Sequence, residues 1–453
     1  MEDPTIRGMS EMVSAAKAGA KNVHPAQKVD LLAEAEHLDP SIYPFPTRKG
    51  NTMSRFRLEA SALISPRVVF LTGATGWLGA HVLAELLKTG VTVIALARAD
   101  TDQAAKERLV KTLQKYHLVE GIEASHDQEN MSPQDANPQG DDSVLDSKLV
   151  AIAGDFSKPL LGMDNLQFKE LALEIDSIIH CGAQVNLMKP YAALKEANVL
   201  GTQEILRLAT TNGFVKTKVK PVHYISTNGI FPVNASAYQE TPICVREDVT
   251  LEDYAPHLTE GYAMTKWVAE KMCTIAEARG LPVSVMRPGN MAGSTATGVQ
   301  NADDFNYLFV KGILATKSAP TKNTQYFMDL TPVDYAAQAV VHLAVHAPQK
   351  AIGQRFHLQT PQKPVALGDV VAMLRQIGYE IQDVTRDEFV QRLEAAGDSQ
   401  AALANGWESF EPYYDASGWL QYGCDNLQFA CGDAVTCPSL DAALLSKWFP
   451  KGV

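Results

Sequence analysis

The 453-residue chain has little cysteine, few long apolar runs and no clustered basic charge. Its apolar runs, such as Val68–Leu71 and Val91–Ala97, are as long as strands, whereas a membrane span requires about 20 residues. The acidic N-terminal region has no apolar signal-peptide core. The formal net charge of −12 argues against a nucleic-acid surface, which needs grouped Lys and Arg. We therefore expect a cytoplasmic protein with no membrane and no nucleic-acid partner.

The few cysteines also argue against a disulfide framework or a zinc site. No two of them have C-x-x-C spacing, so we expect reduced thiols. The last three are close together in the sequence, but their spacing matches no common zinc pattern and no nearby His completes a set. We predict no metal site. The six cysteines are Cys181, Cys244, Cys273, Cys424, Cys431 and Cys437.

What the chain does contain, from Arg67 onward, is an alternation of short Val-, Ile- and Leu-rich segments with segments of helical period. This alternation predicts an α/β fold with a doubly wound parallel sheet (a Rossmann fold) covered by helices on both faces. The predicted strands are 67–71, 91–97, 149–153, 177–180, 219–225 and 282–286. The predicted helices are 77–89, 102–117, 191–212 and 262–279.

Residues 1–65 are interpreted as a leader. Asp30–Leu38 has the pattern of a short helix, and the prolines that follow it favour extended backbone. Arg55–Leu63 is expected to form a strand or a helix. The main domain then spans 66–360. Within it, residues 121–147 are acidic and poor in apolar side chains, so we predict a flexible insertion there.

Residues 361–453 are less regular and are predicted to form a smaller, mostly helical substrate-binding region. Helices are expected at 367–377, 387–396 and 440–449, with an aromatic-rich stretch between Trp407 and Tyr422. Parts of 229–260 and 290–330 are expected to contribute to the substrate cleft. In doubly wound proteins such a cleft forms at the carboxyl ends of the strands.

The segment T-G-A-T-G-W-L-G, residues 72–79, has a G-x-x-G-x-x-G frame between an apolar strand and a periodic helix. Gly73 permits the tight turn, Gly76 lets the backbone approach a pyrophosphate, and Gly79 allows close packing of helix on strand. The helix N-terminus offers free N–H groups to phosphates. This context predicts dinucleotide binding by Thr72, Gly73, Thr75, Gly76, Trp77, Leu78 and Gly79.

The end of the second strand reads A-L-A-R-A-D and places Arg98 where an acidic residue would favour NADH. A guanidinium is a bidentate partner for a 2′-phosphate, and Arg108 in the next helix adds a second charge. Asp100 argues in the other direction. The balance predicts NADPH. The remaining predicted cofactor residues are Asp155, Phe156, Cys181, Ala183, Asn198, Pro288 and Gly289, with a structural or water-holding role as the alternative for Asn198.

Tyr262 and Lys266 form a Y-x-x-x-K pair at the head of a predicted helix, where i, i+4 spacing places both on one face. A nearby ammonium is expected to lower the pKa of the tyrosine and to hold the nicotinamide ribose. Ser226 and Thr227 end the preceding strand, and one of them is expected to hydrogen-bond the substrate oxygen. The predicted catalytic and cofactor-contacting set is therefore Thr227, Tyr262 and Lys266.

Together these motifs resemble the extended short-chain dehydrogenases. More narrowly, they resemble the thioester reductase domains of nonribosomal peptide synthetases, polyketide synthases, carboxylic acid reductases and fungal aminoadipate reductase. The resemblance runs from about Arg67 to about Thr360. It is carried by T-G-A-T-G-W-L-G, A-R-A-D, G-D-F, H-C-G-A-Q-V-N, N-V-L-G-T, I-S-T, Y-A-M-T-K and R-P-G-N.

The resemblance implies NADPH-dependent reduction of an acyl or peptidyl thioester, held on the phosphopantetheine arm of a carrier protein, to an aldehyde and then to an alcohol if a second round occurs. H-L-D-P-S-I, residues 37–42, is similar to the segment that follows a carrier domain in these enzymes. The resemblance also favours Thr227 over Ser226. Alternatives are an enzyme acting on a sugar nucleotide, a fatty acyl-CoA reductase, and a non-catalytic NADPH sensor.

Overall fold

Seven parallel strands form the central sheet of the computed structural model, which describes residues 29–43, 65–129, 143–212 and 218–451. The sheet order is β3–β2–β1–β4–β5–β6–β7, with every neighbouring pair parallel. The order reverses beside β1, as expected for a doubly wound sheet. The strands are β1 (Val68–Thr72), β2 (Thr92–Ala97), β3 (Leu149–Ala153), β4 (Ser177–His180), β5 (Val222–Ile225), β6 (Val283–Pro288) and β7 (Arg355–Leu358).

Helices cover both faces of the sheet and form a lobe beyond its carboxyl edge. A π-helical turn, Glu196–Leu200, follows the helix Tyr191–Lys195, and another, His342–His346, follows the helix Val333–Val341. The α-helices are α1 (Leu31–Glu36), α2 (Trp77–Lys88), α3 (Asp102–Lys115), α4 (Val119–Glu129), α5 (Val144–Lys148), α6 (Asn165–Glu174), α7 (Tyr191–Lys195), α8 (Gly201–Thr210), α9 (Gly261–Ala278), α10 (Phe305–Thr316), α11 (Val333–Val341), α12 (Pro348–Ala351), α13 (Leu367–Gln376), α14 (Arg386–Ala395), α15 (Asp398–Ala416), α16 (Asp425–Cys431) and α17 (Ala442–Trp448).

Two apolar layers enclose the sheet because successive side chains of a strand point to opposite faces. Val69 and Leu71 of β1 pack with α2 and α11, whereas Phe70 packs with α8 and α9. These strands are apolar at consecutive positions since both faces are covered. The predicted doubly wound fold is confirmed.

The lobe, which we call the helical lobe, has its own core. It is built from α10, α13, α14, α15 and α17, with Trp407 and Phe309 in its centre. Two short strand pairs support it, 318–319 with 382–383 and 327–328 with 365–366. The lobe therefore combines a segment from within the expected sheet domain with the C-terminal region, and the boundary predicted at residue 360 divides it.

After α15 the chain leaves the helical lobe and returns to the sheet domain. Leu420–Tyr422 pairs with Ile243–Val245, and α16 packs against β7. Glu247 fixes this return, since its carboxylate accepts from the backbone N–H groups of His357 and Asn426. Residues 361–453 are therefore not one separate helical region.

The described part of the leader is a short helix, as predicted. Asp30 caps α1 by accepting from the N–H of Ala33. Arg279, at the end of α9, donates to the carbonyl oxygens of Leu38, Asp39 and Ile42. This segment is thus fastened to the outer face of α9. The rest of the leader, including the expected element at 55–63, lies outside the described residues.

Several elements differ from those that the sequence predicted. The segment expected as a flexible insertion begins and ends in helix, because Ile122 of α4 and Val144 and Leu145 of α5 are buried; residues 130–142 lie outside the described residues. Strand β5 begins at Val222 rather than at 219, since the preceding Pro221 has no N–H for a ladder bond. Strand β7 was not predicted.

Candidate active site

A cleft of about 1100 Å³ lies between the carboxyl ends of the strands and the helical lobe. Its walls come from the loops after β1, β2, β3, β4, β5 and β6 and from α9, α10 and α15. Ligands of doubly wound proteins bind at this edge. We describe its two ends as the cofactor half, around Gly73–Gly79, and the substrate half, facing the helical lobe.

The glycine loop fits a pyrophosphate. Gly73 has φ +77°, and a Cβ there would lie 2.6 Å from the Cys181 carbonyl carbon. A Cβ on Gly79 would lie 2.1 Å from the Gly73 carbonyl oxygen, so the helix is packed directly on the turn. Gly76 precedes α2 without a side-chain cap. The first N–H groups of α2 therefore remain for an anion.

Arg98 and Arg108 meet at the outer end of the cofactor half. The Nη1 atom of Arg108 donates to the carbonyl oxygen of Arg98 at 2.7 Å, and both residues line the cleft. Asp100 is exposed and is not part of the lining. Both predicted arginines thus line the cofactor half near the end of β2.

Fourteen further predicted cofactor residues line the same cleft, including the whole of Thr75–Gly79. Thr72 and Asn198 do not. Thr72 is fully buried, and its hydroxyl contacts His180 Nδ1 at 2.6 Å and accepts from the Gly182 N–H. The other lining residues of the predicted set are Gly73, Asp155, Phe156, Cys181, Ala183, Tyr262, Lys266, Pro288 and Gly289.

Asn198 lies in the π-helical turn and is also buried. Its Oδ1 accepts from the Gln184 N–H at 2.7 Å, and its Nδ2 donates to the Gln184 carbonyl and to Thr265 Oγ1. The Thr265 hydroxyl in turn donates to the Tyr262 carbonyl. Asn198 thus connects Gln184 to the first turn of α9, which is the contact pattern of a structural role.

Thr227, Tyr262 and Lys266 share one wall of the cleft. Tyr262 lies in the first turn of α9, and Thr227 follows β5, where its Oγ1 accepts from the Gly229 N–H at 3.1 Å. The Lys266 ammonium donates to the Ile225 carbonyl at 2.6 Å and lies 4.2 Å from the centre of the Tyr224 ring. Lys266, one turn after Tyr262, therefore links the first turns of α9 to the end of β5.

Burial sets the protonation states of Tyr262 and Lys266 in this wall. Burial raises the pKa of the Tyr262 hydroxyl above its usual value, so the phenol is neutral at pH 7. The sequence argument had expected the opposite direction from the nearby ammonium. Burial lowers the pKa of Lys266 to about 8, which still leaves it charged near neutrality. The Tyr262 side chain is therefore a neutral phenol rather than a phenolate at pH 7.

The substrate half contains residues that the sequence did not identify. Glu260 and Asn228 directly flank the predicted catalytic residues, and that adjacency was the available signal. Tyr413 and Tyr422 belong to the aromatic-rich stretch, which had no assigned role. Asp329 had no local signal, because only the fold brings it beside Gly289, where a Cβ would lie 2.4 Å from its Oδ2.

Comparison with known proteins identifies the family. Residues 71–340 match the family described as "Male sterility protein", an NAD-binding family model. The chain is 32% identical over 455 residues to a component of the linear gramicidin synthase of Brevibacillus parabrevis, covering 98% of this chain and 8% of that protein. It is 31% identical over 337 residues to the large component of L-2-aminoadipate reductase from Penicillium chrysogenum, covering 72% of this chain and 22% of that protein. It thus spans a small part of these relatives.

Among solved structures, the chain resembles the terminal R domain from the myxalamid PKS-NRPS biosynthetic pathway. Identity is 33%, the TM-score is 0.73, and 93% of this chain and 96% of that one are covered. A second similar structure is a reductase (R) domain of a nonribosomal peptide synthetase from Mycobacterium tuberculosis. Its sequence identity is 27% and its TM-score is 0.66, and the match covers 86% of this chain and 93% of that one. The chain belongs to this family of reductase domains. It is an oxidoreductase that uses a nicotinamide cofactor, and the predicted resemblance is confirmed.

Within the described ranges, no helix is both long enough and apolar enough to cross a bilayer.

Proposed function

We propose that this chain reduces an acyl or peptidyl thioester, carried on the phosphopantetheine arm of a carrier protein, to an aldehyde and a free thiol with NADPH. The observation that carries the proposal is the meeting of Thr227, Tyr262 and Lys266 in one cleft wall. Gly73, Gly76 and Gly79 would hold the cofactor, which would supply the hydride that reduces the thioester carbonyl carbon.

The chain's own residues then act on the carbonyl oxygen. The hydroxyl groups of Thr227 and Tyr262 hold the developing oxyanion, which is usually the largest single contribution to catalysis. Tyr262 gives its proton to that oxygen, and the Lys266 ammonium stabilises the phenolate left behind. The resulting hemithioacetal breaks its C–S bond, with the hydroxyl proton passing to the sulfur. Aldehyde and thiol leave, and a second reduction of the aldehyde would yield an alcohol.

The choice of NADPH rests on Arg98 and Arg108. The guanidinium of Arg108 is held by the Arg98 carbonyl at the end of β2, so its positive charge is fixed next to Arg98, where a 2′-phosphate would lie. Measuring KM for NADPH and NADH tests this choice. A preference for NADPH that is lost in Arg98→Ala supports it, and equal KM values in the unmodified protein contradict it.

The carrier partner and the domain arrangement belong to the same proposal. Residues 1–65 would connect a carrier domain to the sheet domain, with the described segment 29–43 fastened on α9. All six cysteines are free thiols, which supports a reducing, cytoplasmic location. The helical lobe would receive the acyl chain, since it forms the far wall of the cleft.

The test is NADPH oxidation followed at 340 nm with acyl-pantetheine and acyl-CoA thioesters and with the matching aldehydes. Consumption of NADPH with a thioester, accompanied by free thiol, is the expected result. Turnover of the aldehydes would add an alcohol product. No oxidation with any thioester, in a protein that binds NADPH, would contradict the proposal.

A further inference from the structure

His180 is a buried histidine that the proposed mechanism does not use. It is the last residue of β4 and lies opposite Thr72, the last residue of β1, in the parallel ladder. Its side chain is fully buried, so both ring nitrogens need partners within the protein. The Nδ1 atom contacts the Thr72 hydroxyl at 2.6 Å, and the Nε2 atom contacts the hydroxyl of Thr202, in α8, at 3.3 Å. The ring therefore bridges β1 and α8.

The position of the ring proton follows from the partner of Thr202. The Thr202 hydroxyl donates to the Asn198 carbonyl oxygen at 2.7 Å, since a carbonyl can only accept. The Thr202 oxygen is then left to accept from His180, so Nε2 carries the ring proton. Burial and the nearby Lys266 ammonium lower the pKa of His180 to about 3, so the ring is neutral and has one N–H.

The other nitrogen faces the turn that is proposed to hold the cofactor. Because its only proton is on Nε2, the His180 ring accepts at Nδ1 from the Thr72 hydroxyl. The Thr72 oxygen in turn accepts from the Gly182 N–H at 3.2 Å. Gly182 lines the cofactor half, and a Cβ on Gly73 would lie 2.6 Å from the Gly182 nitrogen. These bonds therefore fix the two strand ends between which the glycine loop begins.

On the Thr202 side, the hydrogen bonds continue to the first turns of α9. Asn198 accepts from Thr202 with its carbonyl, and its Nδ2 donates to Thr265 Oγ1 at 3.0 Å. The Thr265 hydroxyl donates to the Tyr262 carbonyl at 2.8 Å. A continuous series of contacts with His180 at its centre thus connects the cofactor half to Tyr262. We call it the His180 network, and its members are Gly182, Thr72, His180, Thr202, Asn198, Thr265 and Tyr262.

We propose that His180 is a positioning residue that, as its Nε2–H tautomer, couples the cofactor-binding turn to the helix carrying Tyr262. The inference rests on the proposed function, because it takes Tyr262 as the proton donor. Hydride and proton reach one carbonyl group only if cofactor and phenol are held in a fixed relation, and a displacement of about 1 Å can cost about 10²-fold in rate. His180 does not line the cleft, so it acts only through the groups that it orients.

The first test breaks the network on the side of α8. His180→Asn supplies an amide oxygen in place of Nδ1 and removes the donor to Thr202. We expect kcat for thioester reduction to fall about tenfold while Kd for NADPH stays within about a factor of two, because the contact with Thr72 is kept. Thr202→Val should lower kcat to a similar extent, and Thr202→Ser, which keeps the hydroxyl, should not. Combining His180→Asn with Thr202→Val should cause no further loss, since both break the same contact.

His223 provides a matched control for the burial of a polar side chain. It is fully buried in β5, beside β4, and its Nδ1 atom contacts the Ser284 hydroxyl at 2.7 Å. It does not line the cleft. His223→Asn should leave kcat unchanged. If His180→Asn had the same kcat as His223→Asn, the proposed coupling would be wrong.

The tautomer is measured without turnover by NMR of protein labelled with 15N in its histidines. The signals that Thr202→Ser shifts, and that His180→Asn removes, should show a protonated Nε2 and an unprotonated Nδ1. They should not titrate between about pH 5 and 8. An Nδ1–H tautomer, or a ring that titrates in this range, would overturn this inference even in a protein that reduces thioesters. The assay of the unmodified protein at 340 nm separately decides the proposed function.

Discussion

The two halves of the cleft are built in different ways. In the cofactor half, one continuous segment, residues 72–79, supplies the turn, the close packing and the helix N-terminus. In the substrate half, Asn228, Glu260, Asp329 and Tyr413 come from four distant parts of the chain. The cofactor half is therefore a local structure that a sequence pattern can reveal. The substrate half forms only when the helical lobe packs against the sheet, so its chemistry depends on the tertiary structure.

Thr227, Tyr262 and Lys266, the proposed catalytic residues, lie in the wall where the halves meet, and a change in this catalytic wall is expected to have the largest effect. Tyr262→Phe should lower kcat by about 10²–10⁴ because the proton donor is lost. Affinity for NADPH should stay within a factor of two or so, since the glycine loop and the arginines are unchanged. Steady-state assays at 340 nm and a fluorescence titration of NADPH measure the two quantities.

A matched control is Tyr238→Phe, which removes a hydroxyl that donates to the Pro232 carbonyl and does not line the cleft. It should retain turnover close to that of the unmodified protein. If Tyr262→Phe were as active as Tyr238→Phe, Tyr262 would not be the proton donor.

A buried ion pair also joins β6 to α9. Arg287, at the end of β6, donates from Nε and Nη2 to Glu270 Oε1 at 3.0 and 2.7 Å, and both side chains are buried. Glu270→Ala would leave the Arg287 charge uncompensated, so unfolding free energy should fall by about 3–5 kcal/mol. Urea denaturation measures the change.

The exposed pair Arg246–Asp248 is the comparison for that prediction. Arg246→Ala should lower the free energy of unfolding far less than Glu270→Ala does, because solvent screens exposed pairs. If the two variants were destabilised equally, burial would not be the reason for the strength of the Arg287–Glu270 pair.

A smaller effect is expected from the positive end of the cofactor half. Arg98→Ala should raise KM for NADPH by about tenfold or more, since a charge-assisted hydrogen bond contributes about 1.5–3 kcal/mol. KM for NADH should change little. Steady-state kinetics with both cofactors measure these KM values. An equal rise in KM for NADPH and for NADH would mean that Arg98 does not bind the 2′-phosphate.

The smallest expected effect is the pH dependence of the catalytic wall. Lys266 has its pKa lowered to about 8, so its ammonium is present below that pH and is lost as the pH rises through it. Log kcat/KM should therefore decline above about pH 8, while Tyr262, with its raised pKa, stays protonated. A profile that instead rises from about pH 7 to 9 would contradict this assignment.

Much of the fold and of the cofactor half could be predicted from the sequence because local patterns determine them. The strands 149–153 and 177–180 were predicted with their observed bounds, since continuous Val, Ile and Leu mark buried parallel strands. The Y-x-x-x-K spacing likewise placed Tyr262 and Lys266 on one face of α9. The predicted roles of the individual site residues remain predictions until tested.

What could not be predicted depends on distant contacts. Strand β7 is short and flanked by polar residues, so its pattern did not separate it from a loop. Thr72 looked like part of the phosphate loop, but its hydroxyl is turned to His180. The helical lobe combines 305–328 with residues beyond 365, a union that no periodicity along the chain indicates.

The most direct test of thioester reduction at the Tyr262 wall is a single-turnover experiment with an acyl-pantetheine thioester and limiting NADPH labelled with deuterium at the transferable position. Oxidised cofactor, free thiol and aldehyde are quantified together. The account predicts equal amounts of all three, deuterium on the aldehyde carbon, and almost none of them in Tyr262→Phe. Thiol released without cofactor oxidation, or an aldehyde without deuterium, would contradict it.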